Sequence, residues 1–176
     1  MRKRIFQLMT TICACAMILV SIQAKQGEKG VMVGGSMMVQ SKNIVQNAVN
    51  AKNLTTLVAA VKAGGLVETL SGAGPFTVFA PTNDAFNKLP AGTVDNLVKP
   101  ENKDKLVSIL TYHVVAGHYT SKDLKDGMVL TTVNGAKLTV HKKGKTWWVG
   151  DAKIEISDVM DSNGVSFIID KVLMPS

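Results

Sequence analysis

The chain has 176 residues, 46% hydrophobic and 19% charged, with 20 Lys+Arg against 13 Asp+Glu. Those proportions exclude a disordered polyampholyte and a multi-span membrane protein, and the length fits one ordinary domain. A chain of ~150 residues buries roughly 70% of its unfolded surface, so it can hold a core without disulfides or metal.

Part of the +7 charge belongs to the N-terminus. Met1-Arg2-Lys3-Arg4 leads into an apolar run densest from Ile12 to Val20, followed by Ser21-Ile22-Gln23-Ala24. Charged, apolar and small segments in that order read as a secretory signal peptide over residues 1–24. The run is too short to span a bilayer, which takes ~20 apolar residues. Lipidation at Cys15 fits less well, because Cys13 interrupts the triplet before it and the apolar run continues beyond. Cleavage after Ala24 removes Arg2, Lys3, Arg4 and both cysteines, leaving 17 lysines against 13 acids, a net +4. The exported chain then has no thiol chemistry and is indifferent to redox compartment. It also has no guanidinium fork for bidentate recognition of phosphate or guanine, so sequence-specific nucleic-acid binding is not expected.

Residues 25–40 read as a flexible Met- and Gly-containing lead-in, with Met32, Met37 and Met38 as apolar anchors. Their thioethers could take Cu(I), but no Cys or repeated spacing supports that use. A domain over 41–176 follows. Ser41 is the expected N-cap of a helix with Ile44, Val45, Ala48 and Val49 on its stripe. Asn53 is the expected cap of a second, carrying Leu54, Leu57, Val58 and Val61 and stopped by Gly64-Gly65. A short apolar turn, Leu66 to Leu70, comes next. Phe76 to Ala80 reads as a buried strand closed by Pro81. Thr82 or Asn83 caps a short helix, with Asp84 adding favourable charge in its first turn. A further helix begins at Lys99-Pro100-Glu101 and carries Leu106, Ile109 and Leu110. Beyond it the chain is rich in strands. Met128–Val133 and Ala136–His141 flank the hairpin signal Asn134-Gly135, and a second turn at residues 142–145 leads to Trp147-Trp148. Helices early and antiparallel strands late make an α+β domain.

Catalytic patterns are missing. There is no Gly-x-Ser-x-Gly elbow, and Gly72-Ala73-Gly74 precedes a strand instead of opening a helix, so it cannot cradle phosphate. His113, His118 and His141 lack zinc-site spacing. Asp158, Asp161 and Asn163 hint at a calcium loop without its closing glutamate and read as an Asx-rich turn. No catalytic, cofactor or metal residues are assigned. Lys142, Lys143 and Lys145 beside His141 and the Trp pair could hold a polyanion or sugar face. The favoured reading is a solvated hairpin tip with one Trp in the core and its neighbour on the outer face.

Three stretches resemble the fasciclin (FAS1) family of extracellular adhesion modules. Gly74 to Phe86 resembles its first signature block, Tyr112-His113-Val114-Val115 its central Tyr-His motif, and Gly164 to Pro175, with Asp170, its second block. The likeness runs from about Ser41 to the C-terminus. It implies a wedge-shaped β-sandwich with an N-terminal cluster of helices, an exported location (periplasm, cell surface or outside) and binding instead of catalysis, without naming the partner. The expectation adopted is a monomer that binds an envelope or extracellular protein or glycan. Phe167 replaces a usual histidine. Ile156 to Met160 keeps Asp158 and Met160 of a segment linked in animal members to integrin binding, but loses its Glu and Pro. Tyr112, His113, Asp158 and Met160 are thus candidate binding positions, and Thr82, Asn83, Asp84 and Asp170 structural ones. At a junction beside the core, Tyr112 and His113 are expected to be structural as well, with Asp84 as the partner of His113. An alternative implied by some family members is carriage of an apolar molecule such as a carotenoid, lined by the Met lead-in and the Trp pair.

Overall fold

The structure, a computed structural model, describes residues 29–175; the signal peptide expected over 1–24 lies outside them. The described residues begin with a hairpin, β1 (Gly30–Val33) and β2 (Ser36–Val39), where a loose lead-in was expected. Gly34 and Gly35 both have positive φ, 56° and 79°, which suits the two-residue turn of a twisted hairpin. A side chain at Gly34 would run into Asn53 as well. Val33 and Met38 are buried in the core, so the hairpin is part of the domain.

Among the described residues, six α-helices precede most of the strands. In α1 (Ile44–Asn50) the cap is Asn43, not Ser41: its side chain accepts from the Gln46 amide at 2.8 Å, and Gln46 reaches back to the Asn43 amide at 3.1 Å. Such a capping box needs its two residues three apart, a spacing Ser41 does not offer. Asn47 points inward and Val49 outward, reversing the expected stripe at those two positions. In α2 (Thr55–Gly64), Leu57 and Val61 are buried, as is Leu54 just before it, and Gly65 ends the helix at φ 72°. Asn53 does not cap it. A 3-10 turn over Lys52–Leu54 comes first, and the buried Asn53 Oδ1 has no partner. α3 (Val67–Ser71) occupies the apolar turn, and β3 (Phe76–Pro81) is nearly all buried. α4 (Asn83–Asn87), α5 (Thr93–Leu97) and α6 (Lys103–Tyr112) complete the set.

The remaining strands are β4 (Val114–Ala116), β5 (Val129–Thr131), β6 (Lys137–Lys143), β7 (Thr146–Val149), β8 (Ala152–Asp161) and β9 (Gly164–Ile169). They join β3 in one seven-stranded sheet, ordered β4-β3-β9-β8-β7-β6-β5, in which only β3 and β9 run parallel. The sheet curls until its edges meet through the bridge between Val115 and Thr132. Alternation along each strand therefore separates an inside from an outside. Phe79, Val140, Val149, Val165, Phe167 and Ile169 are among the residues filling the inside. Phe167 stacks on Phe79 with ring centroids 5.5 Å apart, so phenylalanine at this position extends the interior. The outside divides in two. Over β3, β9 and the end of β8 it is covered by the hairpin and helices, in a second core that includes Val78, Ile168 and Val159. That core takes no residue from β5, β6 or β7.

Candidate functional site

Tyr112 and His113 close α6 and lead into β4. His113 is buried, and both ring nitrogens are engaged by backbone. Nε2 accepts from the Leu173 amide at 3.0 Å, which leaves Nδ1 to carry the proton and donate to the Ile109 carbonyl at 2.8 Å. Its own carbonyl accepts from the Phe79 amide. The ring thus ties the last turn of α6 to the C-terminal segment, 60 residues away in sequence. Burial holds it neutral, with a pKa lowered to about 4. Asp84 is not its partner; it is exposed in the first turn of α4. Tyr112 is half-buried against the sheet interior.

Thr82, Asn83, Asp170 and Asp158 bind backbone too. Thr82 caps α4 by accepting from the Ala85 amide. Asn83 serves a different helix, accepting from the Thr56 amide at 3.0 Å and donating to the Lys52 carbonyl at 3.1 Å. Asp170 accepts from the Lys153 amide at 2.9 Å and pairs with Lys88. Asp158 sits at φ 57° where β8 is irregular, and its carboxylate takes both the amide and hydroxyl of Ser121. Met160 packs partly buried against the interior.

The three residues of the calcium-like turn diverge. Asp158 turns to Ser121, while Asn163 holds the Ile44 amide and the Leu70 and Gly72 carbonyls. Asp161 faces inward, accepting from Asn47 and Ser166 at 2.6 Å each. Asn47 in turn clasps β2 through both the amide and the carbonyl of Val39. Burial pushes the Asp161 carboxyl up to about 6 against the opposing pull of the two hydrogen bonds. Among the described residues no group of three or more His, Cys, Asp or Glu is placed to hold a metal.

An apolar cavity of about 40 Å³ lies between the helices and the covered side of the sheet, lined by Met38, Val45, Leu57, Val61, Leu70 and Ile168 among others. That is room for about one water, whereas pockets for small organic ligands measure ~300–1,000 Å³. Only Met38 of the lead-in methionines reaches it; Met32 and Met37 are exposed. The Trp pair is elsewhere, so the lining imagined for an apolar carrier is not assembled.

What the described residues leave open is the outside of β5, β6, β7 and the start of β8. Lys137, Thr139, His141 and Lys143 alternate outward along β6, opposite the buried Leu138 and Val140. Trp148 of β7 pairs with His141 on one side and Lys153 of β8 on the other. Lys143 Nζ lies 5.0 Å from the Trp148 ring centre. On the opposite face Lys142 Nζ lies 5.1 Å over Trp147, whose ring packs against the interior. The division of the two tryptophans follows the expected alternation. Lys137 and Lys153 were overlooked in the sequence, although outward alternation along these strands points to them.

A nearly closed sheet, clad by helices on one side and bare and cationic on the other, defines a small α+β domain in which the signature polar residues serve the backbone. Among solved structures, the FAS1 domain pair of the insect cell adhesion molecule fasciclin I matches it with a TM-score of 0.69 at 19% identity. The match covers 78% of this chain and 52% of that pair, a likeness of fold. The fasciclin domain model matches residues 52–175. Protein sll1483 of Synechocystis is 50% identical over 148 residues, 84% of this chain and 82% of that protein. The cell surface glycolipoprotein MPB83 of Mycobacterium bovis is 44% identical over 133 residues, 73% of this chain and 58% of its own length. The chain belongs to the fasciclin domain family.

Proposed function

We propose that this chain is an exported, non-catalytic interaction module that attaches to an envelope or extracellular protein or glycan through its bare sheet face. The observation that carries the reading is the exposed Lys143 ammonium set over the Trp148 ring, beside His141 and Lys153, on a stiff antiparallel surface. His113, the buried histidine of the signature motif, has both nitrogens committed to backbone. The cell-surface and cell-adhesion descriptions of MPB83 and fasciclin I support an adhesive role. Among the described residues no helix is long and apolar enough to cross a membrane.

Two measurements test this. Intact mass of the exported protein should place its N-terminus at Lys25 with no lipid attached; a diacylglyceryl group on Cys15, or retention of residues 1–24, overturns the export route. The purified protein should sediment with envelope fragments of its own source, and failure to do so at low salt overturns the attachment.

A further inference from the structure

We infer that the bare face around Trp148 docks an acidic polysaccharide, gripping its carboxylate or sulfate groups. This deepens the proposed attachment by naming its partner. Lys137, Lys142, Lys143, Lys145 and Lys153 are all exposed within one three-stranded stretch. The acids nearby are largely spoken for. Asp126 accepts from the Lys142 amide, Asp151 pairs with Lys171, and Asp170 holds Lys88 and the Lys153 amide. Glu155 alone stands in the patch without a hydrogen-bond partner among the described residues. With Asp151 and Asp170 offset by Lys171 and Lys88, the five lysines face the charges of Glu155 and Asp126, so the surface is cationic by about three charges and its complement is a polyanion.

The side chains are also arranged in advance. Lys142 and Lys143 are held over Trp147 and Trp148, so less rotamer freedom is lost when an anion arrives. Because they are consecutive on a strand, their ammonium groups lie on opposite faces of the ribbon. A flexible chain passing around the Gly144-Lys145 tip reaches both. Thr131, Thr139 and Thr146 on the same ribbon supply hydroxyls that can exchange hydrogen bonds with sugar hydroxyls.

The same features disfavour other polyanions. The described residues contain no arginine, so the forked, bidentate grip on phosphate is missing. Both tryptophan rings carry their own ammonium cap, which leaves neither a bare platform for nucleobases nor an apolar wedge for a bilayer. Lysine point charges suit carboxylates or sulfates spread along a hydrated chain.

The test is titration of the exported protein with polygalacturonate, heparin and neutral dextran. Phosphatidylcholine–phosphatidylglycerol vesicles and single-stranded DNA serve as competing classes. Binding to polygalacturonate or heparin should be measurable at ~50 mM salt and fall steeply by ~200 mM, as screening of exposed charges requires. Lys137→Ser/Lys143→Ser/Lys153→Ser should weaken it about tenfold or more, roughly 1.4 kcal/mol. The same charge change at Lys99, Lys103 and Lys105, exposed around α5 and α6, should alter it less than about threefold. Equal losses in the two variants would mean net charge alone, and vesicles or DNA bound as tightly as the polysaccharides would mean another partner; either overturns the inference. Envelope attachment that survives the face variant after polysaccharide binding is lost would remove this site while leaving the interaction module intact.

Discussion

The two sides of the curled sheet use polar residues in opposite ways. On the clad side His113, Asn47, Asp161 and Ser166 are buried, and each makes a side-chain hydrogen bond that joins one element of the fold to another. On the bare side the lysines of β6 to β8 meet solvent and hold no distant element in place. A signature motif in the chain can therefore mark where the fold is pinned, while the surface open to partners carries no motif at all. Changes on the clad side should cost stability and carry function down with it; changes on the bare side should do the reverse.

The largest loss is expected from His113→Ala. It orphans the buried Leu173 amide, strips the Ile109 carbonyl of its side-chain donor while the residue 113 amide still reaches it, and leaves a hole between α6 and the C-terminal segment. Unsatisfied buried groups cost ~1–3 kcal/mol each and cavities add to that, so about 3–4 kcal/mol is expected, read from denaturant midpoints. Attachment measured on the remaining folded fraction should stay unchanged. An unchanged midpoint with lost attachment would turn the residue into an epitope and erase the contrast.

Next comes a pH effect hidden in the native protein. His113 has a native pKa of about 4 against 6.5, so acidification through that window costs stability, because the unfolded chain binds the proton first. Asp161 has a native value of about 6 against 3.8, so over its window the folded chain binds the proton first and acidification adds stability. Each shift of 2 or more units corresponds to about 3 kcal/mol, with opposite sign. The two titrations should nearly cancel between about pH 4 and 6. Asp161→Asn can still accept from Asn47 and can donate to Ser166, and it removes one side of the balance. Its stability should then fall by about 2–3 kcal/mol on acidification across that range, where the native protein stays nearly level. Urea unfolding at several pH values decides this, and parallel curves for the two proteins would refute it.

Tyr112→Ala should cost less, about 1–2 kcal/mol, since the ring is half-buried and loses packing without orphaning a backbone group. A loss as large as that of His113→Ala would mean the pair acts as one unit.

Local signals made much of this legible. The Thr82 cap, the Gly65 stop, the buried strand of the first block and the outward and inward tryptophans all rest on residues a few positions apart. The Asn134-Gly135 hairpin was also legible, though its strands stop short of the turn, at Thr131 and Lys137. The β1–β2 hairpin carried the same kind of signal in Gly34-Gly35 but was masked by its methionines, which read as loose apolar contacts. Partners distant in sequence were beyond reach. Nothing local tells that His113 meets the Leu173 amide, or that Asn47 meets Asp161 across 114 residues. Choosing Asp84 for His113 followed the habit of pairing a ring nitrogen with a carboxylate, where the fold supplies backbone groups from two elements. The bare face could be found only by knowing where the helices are not.

The smallest stability effect belongs to that face. Lys142, Lys143 and Lys145 are exposed, and Lys142 and Lys143 lie over the two tryptophan rings of the same hairpin. An exposed cation–π contact contributes ~0.5–1 kcal/mol, offset in part by the freedom a lysine regains when released. Replacing all three with serine should therefore move the unfolding free energy by no more than about 1 kcal/mol, because the β6–β7 backbone pairing and the buried Val140 and Val149 remain. The same variant should lose most of its salt-sensitive affinity for polyanions, since the charge removed is the charge that attracts them. Unfolding midpoints and a salt series on one preparation give both numbers. A large loss of stability would mean the lysines brace the tip of the sheet, and tight polyanion binding that persists at high salt would mean that contacts other than exposed charge hold the ligand; each would blur the division between the side that builds the domain and the side that meets its partner.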